Sequence, residues 1–280
     1  MQSPTLEEFQ KLAASANLIP VFRKLLADFE TPLSAYSKIR GQGDSFLFES
    51  VEGGEHVGRY SFLGCNPRAI IRQVGSRVHL MENGRVKKSW DVRPDAPSGD
   101  PSAVKDGLAV IEQVLGDYRP ASIPGLPRFT GGAVGFIGYE FIHDVEPVVP
   151  KPPLDELGTP VMYFLVADEL LIFDRLSQTI TVVVNATIQP GQSTAEAYED
   201  AVSEIERLIS LLEQPTRVQP VAVPTESTDP EVVSNQTPEV FHANVLKAKE
   251  YIHAGDIFQV VGSQRFTTPF TAQPMDLYRA

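Results

Sequence analysis

RVHLMENGRVKKSW, residues 77–90, carries the clearest local structural signal in this chain of 280 residues. Asn83-Gly84 separates two runs in which apolar and polar residues partly alternate. A type I′ turn needs positive φ at both central residues, and an Asn-Gly pair adopts such angles readily. The segment therefore predicts a β-hairpin.

Further short segments around the hairpin have the composition of strands. FLFES (46–50), RYSFLGC (59–65) and AIIRQV (69–74) are rich in aromatic and β-branched residues, and turn-forming Gly, Asn and Pro lie around them. A further strand is predicted near the C-terminus, IFQVVGSQRF (257–266). Helical periodicity is found near residues 102–116, 194–213 and 238–256. We expect a folded protein that combines strands with helices.

Two Ser/Thr-Pro pairs predict the first residues of helices. Ser3 and Thr31 are each followed by proline. Serine and threonine are favoured at the N-cap, and proline suits the first helical position. We therefore expect one helix that is capped by Ser3 and another that is capped by Thr31.

The composition excludes several classes of protein. There are 36 acidic and 24 basic side chains, for a net charge of −12, and no Lys/Arg cluster that would favour nucleic-acid binding. There is no run of about 18 apolar residues, and the N-terminus lacks the pattern of a signal peptide. The single cysteine, Cys65, cannot form an internal disulfide. We expect a cytoplasmic protein that binds neither nucleic acid nor membrane.

Motif spacing by itself identifies no catalytic site. The glycine-rich stretch TGGAVGFIGYE (130–140) matches neither the dinucleotide fingerprint nor a P-loop. It is more typical of a strand that a neighbouring backbone approaches closely. The five histidines show no metal-binding spacing, and no Gly-x-Ser-x-Gly motif is present.

Two polar patterns remain. The apolar strand FLFES ends in Glu49 and Ser50, whose burial would be costly without a partner, so a ligand with an ammonium group would suit them. The alternative is a strand end that reaches solvent. In GDIFQVVGSQRF (255–266), Gln259, Ser263 and Arg265 would share one face of a strand. That face is either the floor of a polar cavity or the solvent-exposed face of an ordinary alternating strand.

Five segments, taken in order, resemble landmarks of anthranilate synthase component I, in the chorismate-utilising enzyme family: residues 18–40, 46–50, 58–67, 131–140 and 254–266. The resemblance implies an α/β fold of the α+β type, with antiparallel sheets packed against helices. Because members of the family are much longer, it also implies that this fold is incomplete at the C-terminus.

The resemblance suggests how the chain is organised. Residues 1–213 would be the N-terminal regulatory region, and residues 238–280 the start of a truncated chorismate-binding catalytic domain. Residues 214–237, rich in Pro, Thr, Ser and Gln, would be a linker or surface loop.

The same resemblance implies site residues. Phe48, Glu49 and Ser50 correspond to part of the family's tryptophan feedback site, with Ser50 in contact with tryptophan. Gln259 would lie near the nucleophile side of the chorismate site, where glutamine fits an attack by ammonia. No other catalytic residue is assigned, and the ligands of Mg²⁺ are expected beyond residue 280, with none in this chain.

The implied activity is that of a lyase in tryptophan biosynthesis. The full-length enzyme would convert chorismate and ammonia to anthranilate and pyruvate, with the ammonia supplied from glutamine by an amidotransferase subunit, component II. The 280-residue chain alone would be inactive. Two alternatives stay open: a fragment of aminodeoxychorismate synthase component I, and an amino-acid-sensing module without catalysis.

Overall fold

A computed structural model describes residues 2–41, 43–49, 58–151, 154–216, 218–220 and 231–280. The chain forms two compact units, Met1–Val218 and Gln219–Ala280. The division between them lies inside the segment 214–237. In the described ranges, no helix is both long enough and apolar enough to cross a lipid bilayer.

The first unit contains the strands β1 (Gln2–Ser3), β2 (Leu18–Leu26), β3 (Phe46–Phe48), β4 (Tyr60–Cys65), β5 (Ala69–Val74), β6 (Arg77–Glu82), β7 (Arg85–Val92), β8 (Ala103–Val104), β9 (Gly132–Ile137), β10 (Met162–Ala167), β11 (Glu169–Asp174) and β12 (Thr179–Thr187). Its helices are α1 (Leu6–Leu12), α2 (Pro32–Ile39), α3 (Leu108–Gly116), α4 (Ile142–Val145) and α5 (Thr194–Leu212), and a 3₁₀ turn at Tyr139–Phe141 precedes α4. The second unit contains β13 (Val233–Ser234), α6 (Pro238–Ala254), β14 (Phe266–Thr267) and α7 (Pro274–Arg279).

The first unit is built on two six-stranded sheets. Their strand orders are β1-β2-β12-β11-β4-β3 and β8-β7-β6-β5-β10-β9. Neighbouring strands are antiparallel except β7 and β8, which are parallel. This mixture of antiparallel sheets and helices confirms the α+β class.

The hairpin of β6 and β7 confirms the first prediction from sequence. Asn83 and Gly84 have φ angles of 50° and 71°, as a type I′ turn requires. The strand register shifts between Leu80 and Met81, so that the ladder is irregular near the turn.

The chain passes between the two sheets at two adjacent places. Residues 66–68 lead from β4 into β5, and Asp168 leads from β10 into β11. Because β10 pairs with β5 and β11 pairs with β4, both strand pairs extend from one sheet into the other. The Arg68 N–H donates to the carbonyl of Val166 across this junction, at 3.1 Å.

Helices cover one face of each sheet. The first sheet packs against α1, α2 and α5, and the fully buried side chains of this core include Phe9, Ile39, Leu63, Ile180, Val182, Ile205 and Leu208. The second sheet packs against α3, around Ile71, Val78, Trp90, Val110 and Met162. Apolar periodicity in the helices therefore corresponds to these two cores.

One of the two predicted helix caps is confirmed. Thr31 caps α2, where its Oγ1 accepts a hydrogen bond from the N–H of Ser34. The prediction for Ser3 is wrong, because Thr5 caps α1 and forms a capping box with Glu8. Ser3 instead lies in β1, opposite Phe22 of β2. Tertiary strand pairing and the better Thr-Glu capping box move the helix start by two residues.

The strand predicted over 257–266 is wrong for most of its length. Only Phe266–Thr267 is extended and paired, with Val233–Ser234 as its partner. A strand needs a neighbouring strand to satisfy its backbone hydrogen bonds. In the described part of the second unit, Val233–Ser234 pairs with only the last predicted residue, Phe266, and with Thr267. The preceding helix does end as predicted, at Gly255 with a φ of 82°.

Candidate functional site

A cleft lies at one end of the first sheet, next to the predicted residue Glu49. Its volume is about 330 Å³, which is near the small end of ligand pockets. The β2–α2 connection, the ends of β3, β4 and β11, and the β11–β12 turn form its walls. The described lining residues are Ala27, Glu30, Thr31, Pro32, Glu49, Ser61, Phe173, Asp174, Arg175 and Gln178. We name this feature the Glu49 cleft.

Strand alternation explains which of the predicted residues reach the cleft. In β3, Leu47 pairs with Leu63 and packs against the helix-covered core. Glu49 has the same parity as Leu47 and lines the cleft. Phe48 has the opposite parity, is half exposed, and lies with its ring 5.4 Å from that of Phe46. The cleft lining does not include Phe48, and Ser50 lies outside the described residues.

Asp174 is the most strongly fixed charge in the cleft. Arg59 donates to both of its carboxylate oxygens, from Nε to Oδ1 at 2.9 Å and from Nη2 to Oδ2 at 2.6 Å. The N–H of Leu176 donates to Oδ1 at 3.0 Å. These hydrogen bonds, chiefly those from Arg59, hold the pKa of Asp174 well below its usual range. The carboxylate therefore stays ionised at neutral pH.

Another part of the lining, residues 30–32, leads into α2. Glu30 forms an ion pair with the buried Lys38 and accepts a hydrogen bond from Ser34 Oγ at 2.6 Å. Lys38 also donates to the carbonyl of Leu212, at 2.7 Å, which ties α2 to the end of α5. The charge of Glu30 is therefore matched within the fold.

The cleft combines groups that suit a zwitterion. Glu49 and Asp174 contribute carboxylates, and Arg175 contributes a guanidinium. A ligand ammonium would be stabilised by the carboxylates and a ligand carboxylate by the guanidinium. The geometry of the cleft thus fits the binding of a ligand that carries both an ammonium and a carboxylate group.

Gln259 lies in the other unit, in an irregular exposed segment between α6 and β14. This segment is held near its C-terminal end, where Gln264 Nε2 donates to Ser234 Oγ at 2.7 Å and Arg265 N donates to Asn235 Oδ1 at 3.0 Å. The polar row predicted for a strand is not formed here. The role assigned to Gln259 stays a prediction.

A metal site is not formed by the part of the chain that the structure describes, since it contains no group of three or more His, Cys, Asp or Glu residues positioned to hold an ion. The described residues therefore offer no set of ligands that fits Mg²⁺.

Asp174 and Ser61 are cleft residues that the sequence reasoning missed. A usable signal existed for Asp174: ELLIFD (169–174) is an apolar strand that ends in a carboxylate, as FLFE (46–49) does. These two strands, β3 and β11, lie on either side of β4, and their terminal carboxylates therefore reach the same end of the sheet.

The sequence of this chain is similar to those of known proteins. A family model described as chorismate binding enzyme matches residues 80–280. Anthranilate synthase component 1 of Pseudomonas putida is 40% identical over 281 residues, which cover 98% of this chain and 53% of the relative. The protein of the same name from Acetivibrio thermocellus is 35% identical, with 99% and 54% covered. The chain spans about half the length of the curated relatives that it matches.

The fold is also similar to a solved structure. The crystal structure of anthranilate synthase component I from Streptococcus pneumoniae TIGR4 matches with a TM-score of 0.59 at 26% identity, over 91% of this chain and 51% of that one. The similarity in structure thus extends across nearly the whole chain. Because the family model also matches well over half of the residues, this chain belongs to the chorismate binding enzyme family.

Proposed function

We propose that this chain is the N-terminal, feedback-regulatory portion of an anthranilate synthase component I, and that the Glu49 cleft contributes to a site for L-tryptophan. The observation that carries the proposal is the position of Glu49 in a cleft beside the ionised Asp174. Two carboxylates at one end of a rigid sheet favour a ligand with an ammonium group. The names of the similar proteins support the choice of enzyme.

The proposed activity belongs to the full-length enzyme. It is a cytoplasmic lyase of tryptophan biosynthesis that converts chorismate and ammonia to anthranilate and pyruvate. A glutamine amidotransferase subunit, component II, supplies the ammonia. We place the Mg²⁺ ligands outside residues 1–280, so that this chain alone forms no anthranilate. Fluorescence assay of anthranilate from chorismate, ammonium and Mg²⁺ tests this, and turnover by the 280-residue chain would contradict it.

Feedback inhibition in the full-length enzyme tests the site. Ser50 follows Glu49 in the chain and is the residue assigned to tryptophan contact, so we expect Ser50→Phe to abolish inhibition by L-tryptophan while activity is largely retained. Ser203→Phe makes the same chemical change on the exposed face of α5, away from the cleft. Inhibition that persists in Ser50→Phe would count against the site.

Glu49→Gln is a gentler test, because it removes the charge and keeps the shape. A hydrogen bond to a charged group contributes roughly 1.5–3 kcal/mol, so the tryptophan concentration for half-inhibition should rise by about tenfold or more. An unchanged value would show that Glu49 does not contact the ligand's ammonium group.

Titration of the 280-residue chain with L-tryptophan separates the remaining alternatives. We propose that the rest of the feedback site lies beyond residue 280, so binding should be at least about tenfold weaker than in the full-length enzyme. Equal affinity would favour a stand-alone amino-acid-sensing module. Formation of aminodeoxychorismate by the full-length protein would instead identify aminodeoxychorismate synthase.

A further inference from the structure

A second and larger cavity lies in the first unit, where the chain passes between the two sheets. Its volume is about 580 Å³, well inside the range of small-molecule sites. Its lining includes the junction residues Arg68 and Asp168, Asn185 of β12, and the loop from α3 to β9. We name it the Arg68 cavity. It shares no lining residue with the Glu49 cleft.

The polar floor of this cavity is a fixed network. Arg68 Nε lies 2.5 Å from Asp168 Oδ2, and Arg68 Nη2 donates to the carbonyl of Asn185 at 3.3 Å. Asn185 Nδ2 donates in turn to the carbonyl of Thr130, at 2.7 Å. The guanidinium also lies 4.9 Å from the ring centre of Tyr118. The charged groups are therefore held in place before any ligand arrives, which lowers the entropic cost of binding.

The donors of Arg68 are not all used. Its Nη1 is buried and has no hydrogen-bond partner among the residues that the structure describes. A buried donor of a charged group that lacks a partner is costly, and such atoms call for a physical explanation. A second guanidinium, that of Arg128, is exposed and also lines the cavity. Two guanidinium groups against the single carboxylate of Asp168 leave the lining with a net positive charge.

The walls are apolar and anchored. They include Leu18, Leu115, Tyr118, Ile123, Leu126 and Val166. The loop carrying several of these residues is tied to the start of β2, where Ala121 N donates to the carbonyl of Leu18 at 2.8 Å and Arg119 N donates to Asn17 Oδ1 at 2.6 Å. An apolar body would thus pack against a wall whose backbone is held in place.

We propose that the Arg68 cavity is a binding site for a small monocarboxylate with an apolar body. The ligand's carboxylate pairs with the exposed guanidinium of Arg128, Arg68 adds positive charge to the lining, and the apolar part of the ligand packs against the loop from α3 to β9. The charge of the lining selects an anion, and the wall composition selects an apolar body. This proposal does not depend on the function proposed for the Glu49 cleft.

The probe for this site is 3-phenylpropanoate, and 3-phenylpropanamide is its neutral match. Titration calorimetry with the 280-residue chain should show one carboxylate bound per chain, at least about tenfold more tightly than the amide, since a charge-assisted hydrogen bond exceeds the tenfold equivalent of 1.4 kcal/mol. Equal affinity for both compounds, or binding of neither, would overturn the proposal.

Variants then locate the binding. Arg128→Gln removes the exposed guanidinium and should weaken binding of the carboxylate by about tenfold. Ser122→Trp places a large side chain at an exposed lining position and should abolish binding. Arg85→Gln removes the same charge from the exposed hairpin, so this variant should bind normally.

Unchanged binding in Ser122→Trp, or equal weakening in Arg85→Gln and Arg128→Gln, would place the ligand elsewhere and overturn the proposal. Circular dichroism of each variant verifies that a loss of binding is not a loss of fold. These variants avoid Arg68, whose removal would disturb the junction itself.

Discussion

Arg68 Nε lies 2.5 Å from Asp168 Oδ2, and this ion pair joins the two places at which the chain passes from one sheet to the other. Both side chains are largely buried, with exposed fractions of 21% and 16%. The Asp168 carbonyl also accepts the N–H of Asn185, at 3.0 Å. The pair thus connects β5, β12 and the β10–β11 bend, and it forms the floor of the Arg68 cavity.

Replacing Arg68 with methionine should destabilise the first unit strongly. The change leaves Asp168 buried without its cation, and breaking a buried pair from one side costs roughly 3 kcal/mol or more. Urea denaturation at pH 7, followed by circular dichroism, measures the free energy of unfolding. Replacing both residues with apolar ones should recover much of the loss, because no buried charge then remains.

Arg77→Met is the matched control for that experiment. Arg77 pairs with Asp91 at 3.1 Å, but both side chains are more than half exposed. Exposed pairs contribute about 0–1 kcal/mol. A loss in Arg77→Met equal to that in Arg68→Met would mean that burial of the junction pair has no energetic importance.

The pH dependence of the unfolding free energy should contain a contribution from the titration of Asp168. The pKa of Asp168 is raised to about 6, chiefly by burial and in small part by the nearby Glu169 carboxylate, against the opposing effect of Arg68. Between the unfolded pKa of about 3.9 and the folded value, the folded state binds the extra proton. The contribution of Asp168 is therefore complete below pH 4, and it falls by roughly 2–3 kcal/mol as the pH rises to 7.

An asparagine at position 168 cannot titrate, so the variant Asp168→Asn lacks this pH-dependent contribution to stability. The difference in unfolding free energy, wild type minus variant, should therefore decrease from pH 4 to pH 7. Denaturant titrations at several pH values measure it. A difference that increases over this range would show that Arg68 outweighs burial and that the pKa of Asp168 is lowered.

Asp174→Asn should show the opposite dependence. Hydrogen bonds from Arg59 lower the pKa of Asp174, so the unfolded state binds the proton more readily. The stabilising contribution is present above the unfolded pKa and is lost as the pH falls through the folded value. The difference between wild type and Asp174→Asn should thus be largest near pH 7 and shrink toward pH 3, and a difference that is constant with pH would contradict the assignment.

Local interactions explain what could be predicted from the sequence. Asn83-Gly84 and Thr31-Pro32 each determine a turn or a helix start within a few residues, and both predictions are confirmed. Ser3 has the same local pattern as Thr31, but its backbone pairs with Phe22, which local reasoning cannot detect. Residues 257–266 have strand composition and lack a partner strand along most of their length in the described structure.

The candidate sites show the same division. Glu49 stands out locally, because an apolar strand ends in a carboxylate. Asp174 reaches the same cleft only because β4 lies between β3 and β11 in the sheet. Arg68 and Asp168 meet because two distant bends lie side by side. Such sites depend on sheet order and register, which the spacing of residues along the chain does not determine.

Gly135 lies in the glycine-rich stretch for which the sequence predicted a close approach by a neighbouring backbone, and the structure shows that approach. A Cβ at Gly135 would collide with the Tyr163 carbonyl oxygen and lie 2.7 Å from Phe164 Cα, so β10 could not keep its distance from β9. Because both neighbours are backbone atoms, Gly135→Ala should cost roughly 1–3 kcal/mol or more of unfolding free energy.

Gly262→Ala provides the control for Gly135→Ala within the same chain. No atom lies within 4 Å of a Cβ built at Gly262, and its φ is not in the left-handed region, so stability should change by less than about 0.5 kcal/mol. Denaturation curves of the two variants should therefore separate clearly. If Gly135→Ala unfolds like wild type, β9 and β10 must be able to move apart, and a side chain at position 135 would then meet no steric barrier.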